Sequence, residues 1–207
     1  FLALDGIALA GIEAAAVASV VPVLTDMWCA ALRHALGEEP FIVSAAKVRG
    51  IEIAMPYPTQ IGADRIADAV EVRATYGSPA IVVDFGTATN IDVVDGRGRY
   101  RGGCIAPGLM LSAAALFEKA AKLASIPIEV PPAAIGDTTE HALQAGLVLG
   151  VAAQAEGLVA RIKSQLAAEE GTNEPEHCPV IATGGLSRVI GQATDVFDAI
   201  DVDLTLR

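Results

Sequence analysis

Short apolar runs alternate along the chain with longer amphipathic segments. Apolar runs that stop at proline or glycine are typical of buried strands, whereas segments with apolar residues every three or four positions are typical of helices. Strands are predicted at residues 14–21, 40–45, 51–54, 79–86, 90–95 and 179–185, with another near the C-terminal end. Helices are predicted at residues 22–37, 61–77, 109–124 and 137–171, with a short one after residue 185. The alternation predicts an α/β protein.

The same pattern predicts two lobes. Ser78 and Pro79 interrupt the alternation, and proline is a strong punctuator of local structure. We therefore expect an N-terminal lobe at residues 1–78 and a C-terminal lobe at residues 79–207.

The last long helix carries two local signals. Asp137 and Glu140 have the spacing of a capping box, which predicts the start of the helix. A stripe of small residues follows, made of Gly146, Gly150, Ala153 and Gly157. The stripe indicates either close helix packing inside the fold or a contact between subunits.

Composition and charge narrow the function classes. The chain has 207 residues, of which 53% are hydrophobic, so it can bury a sizeable core. Only 4% are aromatic, and we expect Trp28 and Phe117, both on predicted helices, to lie in that core. The formal net charge of -11 disfavours electrostatic binding to nucleic acid or to an anionic membrane.

Cysteine usage and the N-terminal segment favour a cytoplasmic protein. Cys29, Cys104 and Cys178 are far apart, so reduced thiols are expected and neither a zinc site nor a disulfide framework is indicated. No run approaches the roughly 20 apolar residues of a membrane span. Residues 1–21 lack the basic region of a signal peptide. The chain begins with Phe1 and not with Met, and we expect it to be a fragment.

Candidate chemistry is densest between Ile81 and Gly108. Asp84 ends an apolar strand, where an unpaired carboxylate is costly to bury. Gly86 permits a sharp turn, and Thr87 offers a hydroxyl beside free backbone N–H groups. The segment predicts a site for phosphate or a cation; the alternative is a hairpin with glycine-rich turns.

A second candidate site lies at the start of the helix predicted for residues 61–77. Asp64 falls in its first turn, where an acid stabilises the helix whether or not it has another role. Arg65 opposes the helix dipole there, which indicates an anionic partner for its guanidinium. An acid that can take a proton beside a carboxylate-binding arginine predicts a substrate site.

The third candidate is the turn after residues 179–183. Thr183, Gly184 and Gly185 end an apolar strand, and such a turn lets a flat ligand lie against the backbone. The three histidines share no metal-ligand spacing, and no Ser-His-Asp arrangement is legible.

In combination, these segments resemble type III pantothenate kinases. GADR (62–65), DFGTAT (84–89) and the GG-x-I-x-PG pattern (102–108) carry the resemblance. The matching segments follow the family order and cover nearly the whole chain: residues 19–25, 56–70, 81–117, 131–150, 180–187 and 201–207.

The resemblance implies a fold and an activity. The fold would be two ribonuclease-H-like lobes of the acetate-and-sugar-kinase and actin-like ATPase type, the first lacking its N-terminal strands. The activity would be transfer of the ATP γ-phosphate to pantothenate, giving 4'-phosphopantothenate in coenzyme A biosynthesis. A homodimer, Mg²⁺ with ATP, and a monovalent cation (K⁺ or NH₄⁺) are also implied. Two alternatives stay open: a non-catalytic family member with a regulatory role, and a kinase for another small hydroxy acid.

The resemblance also assigns roles at the predicted substrate site. Asp64 resembles the general base that takes the proton of the pantothenate hydroxyl. Gly62, Ala63 and Arg65 resemble residues that grip the substrate. Tyr57 is included with them, although it directly precedes Pro58 and the family's tyrosine lies a little earlier.

The remaining assignments concern the nucleotide, the cation and the partner subunit. Asp84 resembles a ligand of the monovalent cation, and Gly86 and Thr87 resemble contacts to ATP. Gly184 and Gly185 fall where the adenosine end is expected. Thr139 resembles a pantothenate contact that the family donates across its dimer.

One family motif is missing from the sequence. The family begins with a strand that ends in D-x-G-N-T and holds ATP phosphates and metal, and this chain has no such segment. We therefore expect the chain as given to bind ATP poorly. Asn90 stands where the family often has threonine.

Overall fold

The structure is a computed structural model that describes residues 8–120, 125–171 and 177–207. Its main sheet contains six strands, which are β3 (Glu52–Ile53), β4 (Ala80–Phe85), β5 (Ala88–Val94), β6 (Arg99–Pro107), β7 (Val180–Thr183) and β8 (Ala199–Ile200). Their order across the sheet is β3-β6-β5-β4-β7-β8. β4 pairs in parallel with β7, whereas β5 is antiparallel to both β4 and β6. The mixture of helices and sheet confirms the α/β class.

The centre of the sheet is buried on both faces. All four residues of β7 are buried, and so are five of the six residues of β4, with Asp84 as the exception. A strand covered on both sides has a continuous apolar sequence, which is why IVV (81–83) and VIA (180–182) read as uninterrupted runs. Both faces therefore need a covering layer.

One face is covered by α3 (Leu109–Lys119) and by a long helix. The long helix runs from Thr139 to Glu170 as α4 (Thr139–Gln144), a π-helical turn (Ala145–Leu149) and α5 (Gly150–Glu170). Its buried side chains join the larger core cluster together with residues of the sheet; among them are Val148, Ala152, Ala155 and Val159.

This long helix is also the one described helix that could cross a membrane by length and composition alone. One third of its most apolar window is buried inside the protein. Since core positions repeat along the helix, packing against the sheet accounts for much of its apolar character.

The opposite face is covered by α2 (Ala63–Tyr76). Ala69 and Val72 pack against Val82, Val94 and other residues of β4 to β7 in a second buried cluster. Fully burying a side chain such as valine contributes roughly 1.5–3 kcal/mol. The C-terminal 3₁₀ turn, Leu204–Leu206, packs on the same helix through the fully buried Leu204.

The first part of the chain forms a thinner layer. β1 (Ala16–Val17) pairs in parallel with β2 (Phe41–Ile42), and α1 (Pro22–Leu36) lies between them in sequence. α1 ends at Gly37 in the left-handed conformation, as its sequence predicted. β3 follows α1 in sequence but pairs with β6, at the edge of the main sheet.

Trp28 does not lie in the core, contrary to the sequence prediction. Its exposed fraction is 60%, and Cys29 is the buried residue of α1. Within the described residues, the small β1–β2 sheet gives α1 little surface to pack on. Phe117, by contrast, packs against the larger core cluster, as predicted.

Several element boundaries also differ from the sequence predictions. The predicted strands at residues 14–21 and 40–45 are reduced to the two-residue strands β1 and β2. β6 was not predicted as a strand; pairing with β5 and β3 stabilises it. The predicted end of α3, at residues 121–124, lies outside the described residues.

The long helix begins one residue later than its capping box indicated. Thr138 is the N-cap, and its hydroxyl accepts a hydrogen bond from the backbone N–H of His141. Asp137 instead contacts His141 Nδ1 at 2.6 Å. The capping box was therefore wrong in register because threonine competes for the N-cap position.

The small-residue stripe faces outward. Gly146, Gly150, Ala153 and Gly157 are all exposed, and a Cβ added to any of the three glycines would meet no atom within 4 Å. Packing inside the fold is therefore not the reason for the stripe. The three cysteines are free, as expected.

Candidate active site

A row of polar side chains crosses the sheet on the face that α2 covers. Asp84 on β4 is in register with Asn90 on β5 and with Thr183 on β7. Residues paired across strands present their side chains on the same face. The row lies at the carboxyl ends of β4 and β7, where open α/β sheets bind ligands.

Asp84 is only partly buried, but its surroundings disfavour its charge. Burial raises the pKa of its carboxyl, the charges of Asp64 and Asp92 raise it further, and a hydrogen bond with Asn90 lowers it, to a pKa of about 6. A carboxylate with so few compensating donors has capacity left for a cation.

The loops after β4 and β7 lie side by side. The backbone N–H of Leu186 donates to the Phe85 carbonyl, which joins the two turns. Gly86, Thr87 and Gly185 are exposed at this edge, and Gly184 is half-buried. The structure thus places the four predicted nucleotide-site residues on two adjacent turns.

Gly184 is required here by the fold. Its φ is +85°, and a Cβ added to it would lie 2.3 Å from Asp84 Oδ1 and 2.8 Å from backbone atoms of Phe85. A larger residue would clash with the Asp84 carboxylate and with the neighbouring strand.

Asp64 lies in the first turn of α2, where Gly62 is the N-cap. Asp64 Oδ1 accepts a 2.9 Å hydrogen bond from the backbone N–H of Arg65. A Cβ added to Gly62 would lie 2.4 Å from this oxygen, so glycine leaves room for the carboxylate to fold back. Asp64 Oδ1 therefore satisfies a free N–H group at the helix start, which is the helix-stabilising role that the sequence left open for Asp64. No hydrogen bond of the described residues involves Oδ2.

Arg65 has an internal anionic partner. Its Nε and Nη2 lie 2.9 and 2.8 Å from the same atom, Oδ1 of Asp92 on β5. Tyr100 on β6 donates its hydroxyl hydrogen to that oxygen at 2.6 Å. The anion that the helix-dipole argument required is thus supplied within the protein. A substrate contact of Arg65 stays a prediction.

Burial is the largest influence on the pKa of Asp92, of Tyr100 and of Arg65. It raises the pKa of Asp92, and the hydrogen bond from Arg65 opposes the rise. It also raises the pKa of Tyr100, with the Asp92 charge acting in the same direction. Burial disfavours the charge of Arg65, yet its hydrogen bond and charge interaction with Asp92 leave its pKa raised.

Asp68 lies one turn beyond Asp64 on α2 and was not predicted as a site residue. Burial raises its pKa to about 7, and the charges of Asp84, Asp92 and Asp64 add to the rise. Thr205 donates a 2.6 Å hydrogen bond to Asp68 Oδ1. The charges of Asp64, Asp84 and Asp92 therefore all act on the Asp68 carboxyl. The spacing of four residues on a helix face could have revealed Asp68.

Asp92 and Tyr100 were missed for a different reason. In NIDVVD (90–95), Asp92 stands between the apolar residues Ile91 and Val93. Because successive side chains of a strand point to opposite faces, Asp92 faces a different environment from these two neighbours. That signal locates a face of the strand but identifies no partner.

Two predicted site residues, Tyr57 and Thr139, form no described hydrogen bond with this cluster. Tyr57, the N-cap of a 3₁₀ turn at Pro58–Gln60, is 66% exposed. Thr139 is exposed at the start of α4. Among the described hydrogen bonds, none joins either residue to α2 or to Asp84.

A cleft of about 470 Å³ opens beside the start of α2. Gly62 and Ala63 line it, as do Val20, Ser44 and Gln60. Its size lies in the range of small-molecule pockets. In the part of the chain that the structure describes, no three His, Cys, Asp or Glu side chains converge as metal ligands.

These features define an α/β protein with an acidic cluster near the carboxyl ends of two parallel strands and a ligand-sized cleft beside the start of α2. Comparison with known sequences identifies the family. A profile for type III pantothenate kinase matches residues 2–161. The chain belongs to the type III pantothenate kinase family.

Relatives of that name match nearly the whole chain. The protein from Thermomicrobium roseum is 42% identical over 201 residues, which are 97% of this chain and 74% of the relative. The one from Moorella thermoacetica is 39% identical over 202 residues, covering 98% and 76%. The one from Streptomyces griseus is 43% identical over 197 residues, covering 95% and 72%.

A solved structure shares the fold. It was described as a Baf family transcriptional activator from Campylobacter jejuni; its TM-score is 0.62, and the match covers 96% of this chain and 81% of that one. The two sequences are 17% identical, so the likeness concerns the α/β fold alone.

Proposed function

We propose that this protein is a pantothenate kinase that transfers the ATP γ-phosphate to pantothenate, producing 4'-phosphopantothenate and ADP for coenzyme A biosynthesis. The observation that carries the proposal is the Asp64 carboxylate: in a chain of this family, it follows Gly62 and Ala63, which line a ligand-sized cleft, and its Oδ2 has no hydrogen bond among the described residues.

Asp64 acts as the general base. Its Oδ2 accepts the proton of the pantothenate hydroxyl while the hydroxyl oxygen forms a bond to the γ-phosphorus. The bond from that phosphorus to the β–γ bridging oxygen breaks, and ADP leaves. Phosphoryl transfer depends on positioning and charge neutralisation, so a single base with well-placed binding groups suffices.

The two adjacent turns hold the nucleotide. Gly86 and Thr87 contact the phosphates, and Gly184 and Gly185 lie along the adenosine end. The exposure of Gly86, Thr87 and Gly185 and the hydrogen bond between Leu186 and Phe85 support this assignment, since both turns lie at the same edge of the sheet. Gly62, Ala63, Arg65 and Tyr57 bind pantothenate.

Asp84 holds a monovalent cation, K⁺ or NH₄⁺. Thr183 Oγ1 supports the fit, because it is buried without a hydrogen-bond partner among the described residues and shares the Asp84 face of the sheet. When bound, the cation and the Mg²⁺ that accompanies ATP would neutralise phosphate charge.

The protein acts as a cytoplasmic homodimer of two-lobed, ribonuclease-H-like subunits, divided at residues 78 and 79. The exposed stripe of Gly146, Gly150, Ala153 and Gly157 supports a subunit contact along the long helix. Thr139, at the start of that helix, then reaches the pantothenate site of the partner subunit.

The direct test is pantothenate-dependent formation of ADP by the full-length protein. A product with the mass of 4'-phosphopantothenate is expected. Absence of ADP formation with pantothenate, but formation with another small hydroxy acid, would assign a different substrate. No turnover with any of them, combined with ligand binding by calorimetry, would favour the regulatory alternative.

A further inference from the structure

We propose that Asp92 and Tyr100 are positioning residues that fix Arg65 for recognition of the substrate carboxylate. The inference rests on the proposed function and deepens it. Three donors from two other elements converge on one oxygen: Arg65 Nε and Nη2 from α2, and the Tyr100 hydroxyl from β6, all on Asp92 Oδ1.

The geometry constrains the guanidinium strongly. Asp92 is 1% exposed and cannot swing away from the sheet, and the Tyr100 hydroxyl holds its oxygen from a second strand. Two nitrogens of Arg65 on one oxygen fix the plane and direction of the guanidinium. Nη1 takes part in no described hydrogen bond, so it remains for an anion beside Asp64.

Docking of α2 does not require this ion pair. Ile66, Ala69 and Val72 already bury that helix against the sheet. A buried ion pair is weak evidence for stability, because apolar residues of similar volume often serve as well. Pairing a buried carboxylate with the one arginine next to the catalytic base therefore points to orientation of that arginine.

The charge of the cluster makes the idea testable. If Asp92 acted only through its field, neutralising it would leave the charge of Arg65 without its compensating negative charge and would tighten the binding of an anionic substrate. If Asp92 positions Arg65, the same change would weaken binding. Asp92→Asn therefore gives opposite results for the two roles.

The test is steady-state kinetics of the full-length protein and its Asp92→Asn and Tyr100→Phe variants. For Asp92→Asn we expect the KM for pantothenate to rise about 10- to 100-fold, with the KM for ATP and kcat within about threefold. Tyr100→Phe, which removes one of the three donors, should raise the KM for pantothenate about three- to tenfold. Tyr100→Phe keeps the test decisive if Asp92→Asn does not fold.

Tyr76→Phe is the matched control. It removes a comparable hydroxyl bond, from Tyr76 to Asp201 at 3.0 Å, on the far end of the same helix. We expect it to leave the KM for pantothenate unchanged. If Tyr76→Phe raised the KM for pantothenate as much as Tyr100→Phe does, the effect of Tyr100→Phe would be explained by a general loosening of α2, and the positioning role would be contradicted.

A double-mutant cycle separates positioning from direct contact. If Asp92 acts through Arg65, the Arg65→Gln/Asp92→Asn double variant should be no worse than Arg65→Gln alone. Additive losses, or an unchanged or lowered KM in Asp92→Asn, would overturn the inference. A wild-type protein that does not phosphorylate pantothenate would instead refute the proposed function, so the two failures are distinguishable.

Discussion

Thr205 donates a 2.6 Å hydrogen bond to Asp68, joining residues that are 137 positions apart. The bond fastens the C-terminal 3₁₀ turn to α2 one helical turn beyond Asp64. Asp68 has a pKa of about 7, raised from 3.8 mainly by burial. The folded protein therefore binds a proton at this site between about pH 4 and pH 7 that the unfolded chain does not bind.

This proton predicts the direction of a pH effect on stability. The contribution of Asp68 is most favourable below its unfolded pKa and is lost as the pH rises through about 7. Asp68→Asn should therefore be more stable than the wild type at pH 8, by roughly 1–3 kcal/mol, with the difference shrinking towards pH 5. Urea unfolding at the two pH values measures this. A constant difference at both would contradict the raised pKa; exposed Asp195→Asn is the control.

Replacing the proposed base should affect turnover more than binding. Asp64→Asn keeps the Oδ1 acceptor for the Arg65 N–H but cannot take the substrate proton. We expect kcat to fall about 10²- to 10⁴-fold, with the KM for pantothenate little changed. The measurement is ADP formation at saturating substrates, with Asp195→Asn again as the control. Full activity in Asp64→Asn would exclude the assignment.

Adjacent glycines should respond very differently to alanine. Gly184→Ala places a Cβ against Asp84 and Phe85 at φ +85°, and we expect a loss of roughly 2–4 kcal/mol in the free energy of unfolding. Gly185 is exposed with nothing within 4 Å of an added Cβ, so Gly185→Ala should change stability little. Denaturant unfolding of both variants checks the contrast. Equal effects would mean that the close approach at Gly184 is not rigid.

The exposed small-residue stripe on the long helix predicts that a substitution there can disrupt dimerisation without disrupting folding. Gly150→Arg meets open space in one subunit and improves helix propensity by about 1 kcal/mol, so folding should be preserved. We expect it to convert a dimer into a monomer in light scattering. Gln192→Arg, an exposed change directly after the short helix Ser187–Gly191, should remain dimeric. A Gly150→Arg protein that stays dimeric would place the subunit contact elsewhere.

Features of the fold that depend on neighbouring residues in the sequence were predicted better than features that depend on contacts between distant residues. α1 and α2 end at Gly37 and Gly77 as expected, because a C-terminal glycine acts through its own backbone. β6 was missed because its RYRGG sequence lacks an apolar run, and its order depends on pairing with β5 and β3. Trp28 was misplaced because periodicity identifies an apolar face but not what covers it.

The candidate site shows the same division. The residue types in GADR and DFGTAT predicted Asp64 and Asp84, and the structure brings their charges within range of each other. The partner of Arg65 could not be predicted, because Asp92 lies 27 positions away on a strand whose neighbours were not known.

The carboxylates of Asp64, Asp68, Asp84 and Asp92 outnumber the single guanidinium of Arg65 among them. Mutual repulsion in such a cluster is relieved by any positive charge that binds beside it. If a cation binds there as proposed, its binding and the binding of an anionic substrate are thermodynamically linked, and the linkage is reciprocal: each changes the affinity for the other by the same factor. Salt composition would thus act on this protein as an effector, with a strength set by its own acidic residues.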